Sequence, residues 1–281
     1  MKAMRWILTV LIVVCSAVPA LAEPRCNDNT RVGRGSGLVI FGLTADQWLV
    51  TFRECRPSQL SKVANVIGFQ TPDTALVGID FRVQDGKLYG VGNGGGIYTI
   101  DPNTAVATKV SQLTTSLAGT NFGVDFNPSA DRLRIISDAG QNLRHNVNAG
   151  GVTLVDGLLN YTAGITAPGV TGAAYTNNDL DPTTATTLFD IDTTLNQVVI
   201  QSPPNSGSLV ATGQLTVDPD APIGFDIFTT REEGVAIDNN GFASLIVGGV
   251  SGFYRVNVLT GEASLIDSLS ERLIDIAIPV Y

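Results

Sequence analysis

The chain has 281 residues, a formal net charge of −9 at pH 7 and a single histidine. This acidic balance argues against binding to nucleic acid or to anionic lipid, because both require clustered Lys and Arg side chains. The single histidine argues against a typical zinc site, whereas the excess of carboxylates permits the binding of hard cations.

The first 22 residues have the pattern of a secretory signal peptide. Lys2 and Arg5 precede an apolar run at 6–18, and the small-residue triplet Ala-Leu-Ala follows at 20–22. This pattern predicts export, so we expect the mature protein in the periplasm or outside the cell. The run is too short to span a bilayer, and no second apolar run of that length follows, so no membrane span is expected after cleavage. Loss of these two bases makes the net charge of the mature chain −11.

Two cysteines, Cys26 and Cys55, remain after cleavage. An even number of cysteines in an exported chain predicts a disulfide, which would tie an N-terminal arm, 23–37, to one domain, 38–281. Closing this loop would contribute on the order of 3 kcal/mol in the chain-entropy model. Two free thiols are the alternative.

A short motif recurs along the domain. Gly-Ile-Asp-Phe at 78–81 returns as Gly-Val-Asp-Phe at 123–126, as Gly-Phe-Asp-Ile at 224–227 and, more weakly, as Leu-Ile-Asp-Ile at 273–276. The middle interval is twice the others, and Ala174 occupies the aspartate position halfway across it. The period of roughly 45–50 residues is typical of β-propeller blades.

Each period contains short runs of alternating apolar and polar residues separated by Gly, Asn, Asp and Pro, which predicts strands joined by tight turns. Residues 87–91 are predicted as the second strand of their repeat, and residues 97–101 as the third. Residues 188–192 are likewise interpreted as the third strand of a later repeat. Four strands per repeat are typical of a propeller blade. The predicted blades span 76–112, 121–157, 170–215 and 223–268.

The segments left over are 38–68 and 273–279. Joined together they make one more blade, and such closure removes the open edge that a linear array would leave. We therefore predict an all-β protein with a single β-propeller of five four-stranded blades, the N- and C-terminal strands sharing one blade. Six blades are the alternative.

Three blocks in the third blade carry a family resemblance: Phe-Gly-Val-Asp-Phe-Asn-Pro at 122–128, Asp-Arg-Leu-Arg at 131–134 and Gln-Asn-Leu-Arg at 141–144. They resemble the family known as domain of unknown function 4394, and the resemblance covers nearly the whole mature chain. It implies an exported, propeller-like protein without an assigned activity. It implies no catalytic residue, because the family offers none that can be carried over.

The repeated aspartates are candidate cation ligands. The first strand of a blade usually lines the central channel, so their carboxylates would form a ring there. Converging carboxylates suit calcium, which takes several oxygen ligands. The alternative is structural, with each carboxylate accepting backbone N–H bonds of its own or the next blade. These candidates are Asp80, Asp125, Asp226 and Asp275.

The third blade also carries Arg132, Arg134, Arg144 and His145. Arg132 and Arg134 point to one face of a strand, and Arg144 on the neighbouring strand can join them to bind a carboxylate or sulfate. The alternative is an ion-paired face with Asp131 and Asp138 as partners. His145 aligns with apolar positions of other blades, which favours a partly buried, hydrogen-bonded imidazole.

Three functions follow from these patterns. The first is an exported binding module for a protein, a glycan or a small ligand, and it is favoured because the sequence shows no nucleophile–base arrangement. The second is an exported calcium-assisted hydrolase that uses the channel aspartates, and the third is a structural envelope or matrix protein. Fold alone does not decide among them.

Overall fold

The computed structural model describes residues 37–280, so the predicted signal peptide and all but the last residue of the predicted arm lie outside the described residues. Within this range the chain forms 22 strands and one short 3-10 turn, Pro204–Ser206. Twenty strands make five four-stranded antiparallel sheets, and two make a small hairpin. Among the described residues, no helix has the length and apolar character needed to cross a bilayer.

Blade 1 joins the two ends of the described chain, with the last strand hydrogen-bonded to the first. Its strands are Val39–Thr44 (β1), Trp48–Arg53 (β2), Arg56–Asn65 (β3) and Leu273–Ala277 (β22). Blade 2 consists of Leu76–Phe81 (β4), Leu88–Gly92 (β5), Gly96–Ile100 (β6) and Ala107–Gln112 (β7). Blade 3 consists of Phe122–Asn127 (β8), Arg132–Ser137 (β9), Asn142–His145 (β10) and Thr153–Val155 (β11).

The small hairpin follows blade 3 and consists of Asn160–Thr162 (β12) and Ile165–Thr166 (β13). Blade 4 consists of Val170–Tyr175 (β14), Leu188–Asp192 (β15), Gln197–Gln201 (β16) and Leu209–Gln214 (β17). Blade 5 consists of Pro219–Glu232 (β18), Val235–Val247 (β19), Val250–Val256 (β20) and Ala263–Ser268 (β21).

The five sheets form a five-bladed β-propeller. The strands β22, β4, β8, β14 and β18 each contact the next in that order, and β18 contacts β22 again, so they form a closed inner ring. The predicted five blades and the shared terminal blade are thus confirmed, and the six-bladed alternative is wrong.

The core is divided among the interfaces between neighbouring blades. Five clusters of buried apolar side chains lie there, one for each pair of adjacent blades. Alternation along each strand explains this arrangement, because the two faces of every blade are covered by its two neighbours.

One strand was assigned to the wrong place in its blade. Residues 188–192 form the second strand of blade 4, β15, because they pair with both β14 and β16. The prediction of a third strand failed because a long connection, 176–187, replaces the short turn between the first two strands. Alternation identifies a strand but does not give its order within a sheet.

Candidate functional site

The repeated Gly-x-Asp motif lies on the inner strands, and its glycine allows neighbouring blades to approach. A Cβ on Gly123 of β8 would lie 2.8 Å from the backbone nitrogen of Ala173 in β14. A Cβ on Gly224 of β18 would lie 2.6 Å from the backbone nitrogen of Ile276 in β22. These distances are too short for any side chain, so the glycine is required where two inner strands nearly touch.

The aspartate two residues later links its blade to the next one. Each of the four carboxylates accepts a hydrogen bond from a backbone N–H of the following blade. The donors and distances are Phe126 to Asp80 at 2.7 Å, Tyr175 to Asp125 at 3.0 Å, Ile278 to Asp226 at 2.6 Å and Ile79 to Asp275 at 2.8 Å. All four aspartates therefore have the structural role that the sequence suggested as the alternative, which is to accept backbone N–H bonds from the next blade.

Three of these carboxylates also converge. Asp80, Asp125 and Asp226 each offer one oxygen, and the three oxygens lie within 4.8 Å of one another. All three residues are buried. Asp275 is equally buried but is not part of this triad, and its second oxygen accepts the backbone N–H of Ile276 at 2.9 Å. The predicted ring of four is thus a triad and one separate carboxylate.

Burial raises the pKa of every carboxyl in this group, and repulsion from neighbouring carboxylates raises it further at Asp80, Asp125 and Asp275. Burial is the largest cause in each, and the charge of Asp226 adds to it at Asp80. The pKa of Asp226 rises to about 7. No Lys or Arg is among the causes that shift the pKa of the triad, so its charge must be neutralised by protons or by a bound cation.

A pocket of about 260 Å³ opens where the inner strands begin. Leu76, Phe122, Pro222 and Ile274 contribute to its wall, and they come from four of the five blades. Gln47 also lines this mouth pocket, and its side-chain amide is fixed by two hydrogen bonds with the backbone of Leu76. The pocket lies at one end of the channel-lining strands.

The three arginines of the predicted patch do not share one partner. Arg134 and Arg144 are paired across β9 and β10, and both bond the carboxylate of Asp156, at 2.6 Å in each case. Arg134 is fully buried, whereas Arg144 is partly exposed. Arg132 instead donates to the backbone carbonyls of Ala130 and Asp131. Two of the three arginines therefore already hold a carboxylate from the chain itself.

Asp131 and Asp138 do not pair with these arginines. Asp131 accepts two hydrogen bonds from Arg82 of blade 2, and Asp138 accepts hydrogen bonds from Thr120 and Asn121. Ion pairs are present, as the alternative predicted, but the partner of Arg134 and Arg144 is Asp156 and not Asp131 or Asp138.

His145 links blades 2 and 3 through their outer strands, β7 and β11. Its Nε2 lies 2.8 Å from Ser111 Oγ in β7, and its Nδ1 lies 3.1 Å from Thr153 Oγ1 in β11. Burial, and then the charge of Arg132, lower the pKa of His145 to about 4. No nucleophile–base pair is visible in the sequence, whereas in the structure the hydroxyl of Ser111 contacts the imidazole of His145. Its imidazole is a weak base, and a hydroxyl rather than a carboxylate orients it.

The profile of a family described as a domain of unknown function, DUF4394, matches residues 48–277. The chain belongs to this family. No curated protein matches the DUF4394 chain significantly in sequence.

The solved structures to which this DUF4394 protein is similar share 12–14% sequence identity with it. An auxiliary nutrient binding protein from Bacteroides ovatus has a TM-score of 0.43, with 73% of this chain and 55% of that chain covered. A protein of unknown function from Bacteroides thetaiotaomicron has a TM-score of 0.48, with 86% and 65% covered. The chain thus spans less than two thirds of the length of these two. Myxococcus xanthus glutaminyl cyclase has a TM-score of 0.38, with 72% and 69% covered.

Sequence reasoning missed the acidic face of β15. Asp190 and Asp192 alternate with apolar residues inside a strand, which places them on one face, and both are fully buried. Their spacing was visible in the sequence, but the strand was assigned to the wrong position. The predicted disulfide also depends on a residue outside the described range, Cys26, while Cys55 is buried in blade 1.

Proposed function

We propose that this DUF4394 protein is an exported ligand-binding propeller whose channel holds one hard divalent cation, calcium fitting best, on Asp80, Asp125 and Asp226. The observation that carries the proposal is the convergence of three carboxylate oxygens, from three different blades, to within 4.8 Å of one another. Calcium binds its oxygen ligands at about 2.3–2.6 Å, so ligands on opposite sides of the ion are roughly 4.8 Å apart. One ion therefore has the right size to contact all three oxygens.

Charge supports the same proposal. Three buried carboxylates at this separation repel one another strongly, and no basic side chain contributes to their pKa values. A divalent cation removes this repulsion and displaces the protons that otherwise neutralise the site. The ring of interblade hydrogen bonds holds the three ligands in place before an ion arrives, which lowers the entropic cost of binding.

Two further features support the compartment and the class of ligand that we propose. The charged start, the apolar run at 6–18 and the Ala-Leu-Ala triplet at 20–22 support export, to a compartment in which a disulfide between Cys26 and Cys55 would be stable. The mouth pocket, at about 260 Å³, is close to the lower end of small-molecule sites, which are about 300–1,000 Å³. A small solute suits it better than a protein or a long glycan.

The test is calcium titration of the EDTA-treated protein by calorimetry, together with thermal unfolding with and without calcium. We expect about one ion per chain and a melting temperature several degrees higher with calcium, because a ligand that binds only the native state stabilises it. Asp125→Asn should weaken binding at least tenfold. Asp275→Asn is the matched control, since it changes a buried aspartate outside the triad and should keep the stoichiometry.

Two results would overturn the proposal. One is the absence of both binding heat and a thermal shift in the wild-type protein, which would leave the triad as protonated, structural carboxyls. The other is an equal loss of affinity in Asp275→Asn and Asp125→Asn, which would show a general electrostatic effect instead of a triad site.

A further inference from the structure

A second group of buried oxygens lies between blades 3 and 4. Asp190 of β15 is 0% exposed, and neither of its carboxylate oxygens has a hydrogen-bond partner among the described residues. An isolated buried carboxylate is strongly unfavourable, because it has lost its hydration and gained no donor. The position therefore requires a compensating partner.

Gln201 has the same deficit on the same face of the blade. Asp190 pairs with Val199 across β15 and β16, so Gln201, two residues beyond Val199, is its diagonal neighbour. The side-chain nitrogen of Gln201 donates to the backbone carbonyl of Pro204, but its Oε1 is buried and has no partner within residues 37–280. Three acceptor oxygens thus share one buried face without a donor.

The nearest arginine does not supply that donor. The charge of Arg134 acts on Asp190, but the hydrogen bonds of its guanidinium go to other groups. Its partners are Tyr175, Asn142, Asp156 and Asn205.

Burial raises the pKa of the Asp190 carboxyl well above its usual range. A carboxyl in such a position is neutralised either by a proton or by a bound cation. Asp192 lies two residues from Asp190 on the same face, and it is already engaged by the hydroxyl of Tyr161 at 2.5 Å and by backbone N–H groups. The unpartnered oxygens are therefore those of Asp190 and Gln201.

We propose that a dehydrated monovalent cation, sodium or potassium, binds between blades 3 and 4 on the carboxylate of Asp190 and the amide oxygen of Gln201. These groups offer acceptors, which suit a metal cation, and one positive charge takes the place of the single proton that otherwise neutralises the carboxyl. This site is separate from the channel triad. The hairpin of β12 and β13 lies beside it, since Tyr161 of that hairpin donates a hydrogen bond to Asp192 on the same face.

The test compares thermal unfolding of the wild-type protein in sodium, potassium and tetramethylammonium chloride, at constant ionic strength and pH 7, with EDTA present. We expect a saturable rise of about 3 °C in one of the two small cations relative to tetramethylammonium. Asp190→Asn should abolish this difference, and Gln201→Leu should raise the half-saturating concentration several-fold. Asp220→Asn changes an exposed aspartate and should retain the full response.

Equal melting temperatures in all three salts would overturn the proposal, and so would an unchanged cation response in Asp190→Asn. Either result would mean that a proton, donated from Asp190 to Gln201, occupies the position instead. If Asp190→Asn does not fold, the wild-type salt series and Gln201→Leu decide. EDTA removes divalent ions throughout, so the outcome is independent of calcium binding in the channel.

Discussion

The backbone N–H of Ile79 donates a hydrogen bond to the carboxylate of Asp275 at 2.8 Å, although 196 residues separate them along the chain. This bond joins the last described strand, β22, to the inner strand of blade 2, β4. It is one of four interblade carboxylate bonds, and it ties the strand that completes blade 1 to the blade that follows. Closure of the propeller therefore involves the carboxylate of Asp275.

Replacing Asp275 by Ala should destabilise the protein by about 2 kcal/mol, because the buried N–H groups of Ile79 and Ile276 lose their acceptor. Urea unfolding at pH 6 measures this change. The exposed aspartate Asp220 provides the control, since Asp220→Ala should leave the unfolding midpoint nearly unchanged. An Asp275→Ala protein as stable as the wild type would show that this carboxylate does not secure the closure.

Without divalent ions, the stability of the protein should fall as the pH rises from 4 to 7. The folded pKa of Asp226 is about 7, above the unfolded value of 3.8, so the folded state binds more protons in this interval. The contribution of Asp226 alone is on the order of 4 kcal/mol, and Asp80 and Asp125 act in the same direction. Urea unfolding in EDTA across this range tests the sign. Asp226→Asn should flatten the dependence, and calcium should reverse it at pH 7.

His145 should act in the opposite direction. Its folded pKa of about 4 lies below the unfolded value of 6.5, so its contribution is complete above pH 6.5 and is lost as the pH falls toward 4. His145→Gln should therefore cost about 2 kcal/mol at pH 7.5, mainly through lost hydrogen bonds, and clearly less at pH 5. Ser111→Ala removes one partner but keeps the imidazole, so its cost should vary less with pH. A difference that is constant with pH would contradict the assignment of a neutral imidazole.

Asp156 should be the most sensitive member of its ion-pair group. Asp156→Asn leaves the buried Arg134 without a carboxylate, and we expect a loss of about 3–5 kcal/mol. Arg144 is partly exposed, so Arg144→Met should cost only about 1 kcal/mol. Chemical unfolding of the two variants gives the comparison. Equal losses would mean that the burial of Arg134 does not govern the energetics.

Because the inner strands nearly touch, adding even one methyl group to them should destabilise the protein. Gly123→Ala would place a methyl group 2.8 Å from the backbone nitrogen of Ala173 in the next blade, and we expect a loss of about 2 kcal/mol. Gly150 has a φ of 73° with open space around it, so Gly150→Asn is a control that should be nearly neutral. Thermal unfolding distinguishes the two. A stable Gly123→Ala protein would show that the blades can separate without cost.

Several features of the fold were predictable because the repeat itself encodes them. The interval between Asp80 and Asp125 gives the length of a blade, and alternation within 97–101 identifies a strand. The leftover segment 273–279 indicated that the two ends share a blade. Residues 188–192 were misplaced because the connection before them is longer than in other blades.

The candidate site was predictable only in part. The four aspartates were found from their repetition, but nothing in their spacing separates Asp275 from the triad. Arg134 and Arg144 were found as neighbours, but their common partner, Asp156, lies on a segment that no repeat marks. Asp190 and Gln201 were missed, because an unpartnered buried group is a property of packing rather than of spacing.

The sequence by itself determined the all-β class, the blade length and the position of aspartate on four of the five inner strands, because these are periodic and local. Tertiary structure alone decided which carboxylates meet, since the inner strands of blades 2, 3 and 5 converge on a channel that no pair of adjacent residues defines. It also decided that Arg134 is bound by side chains of the protein itself and that, in the part of the chain that the structure describes, no group donates to Asp190. Distances between blades follow from ring closure, and ring closure involves the whole chain at once.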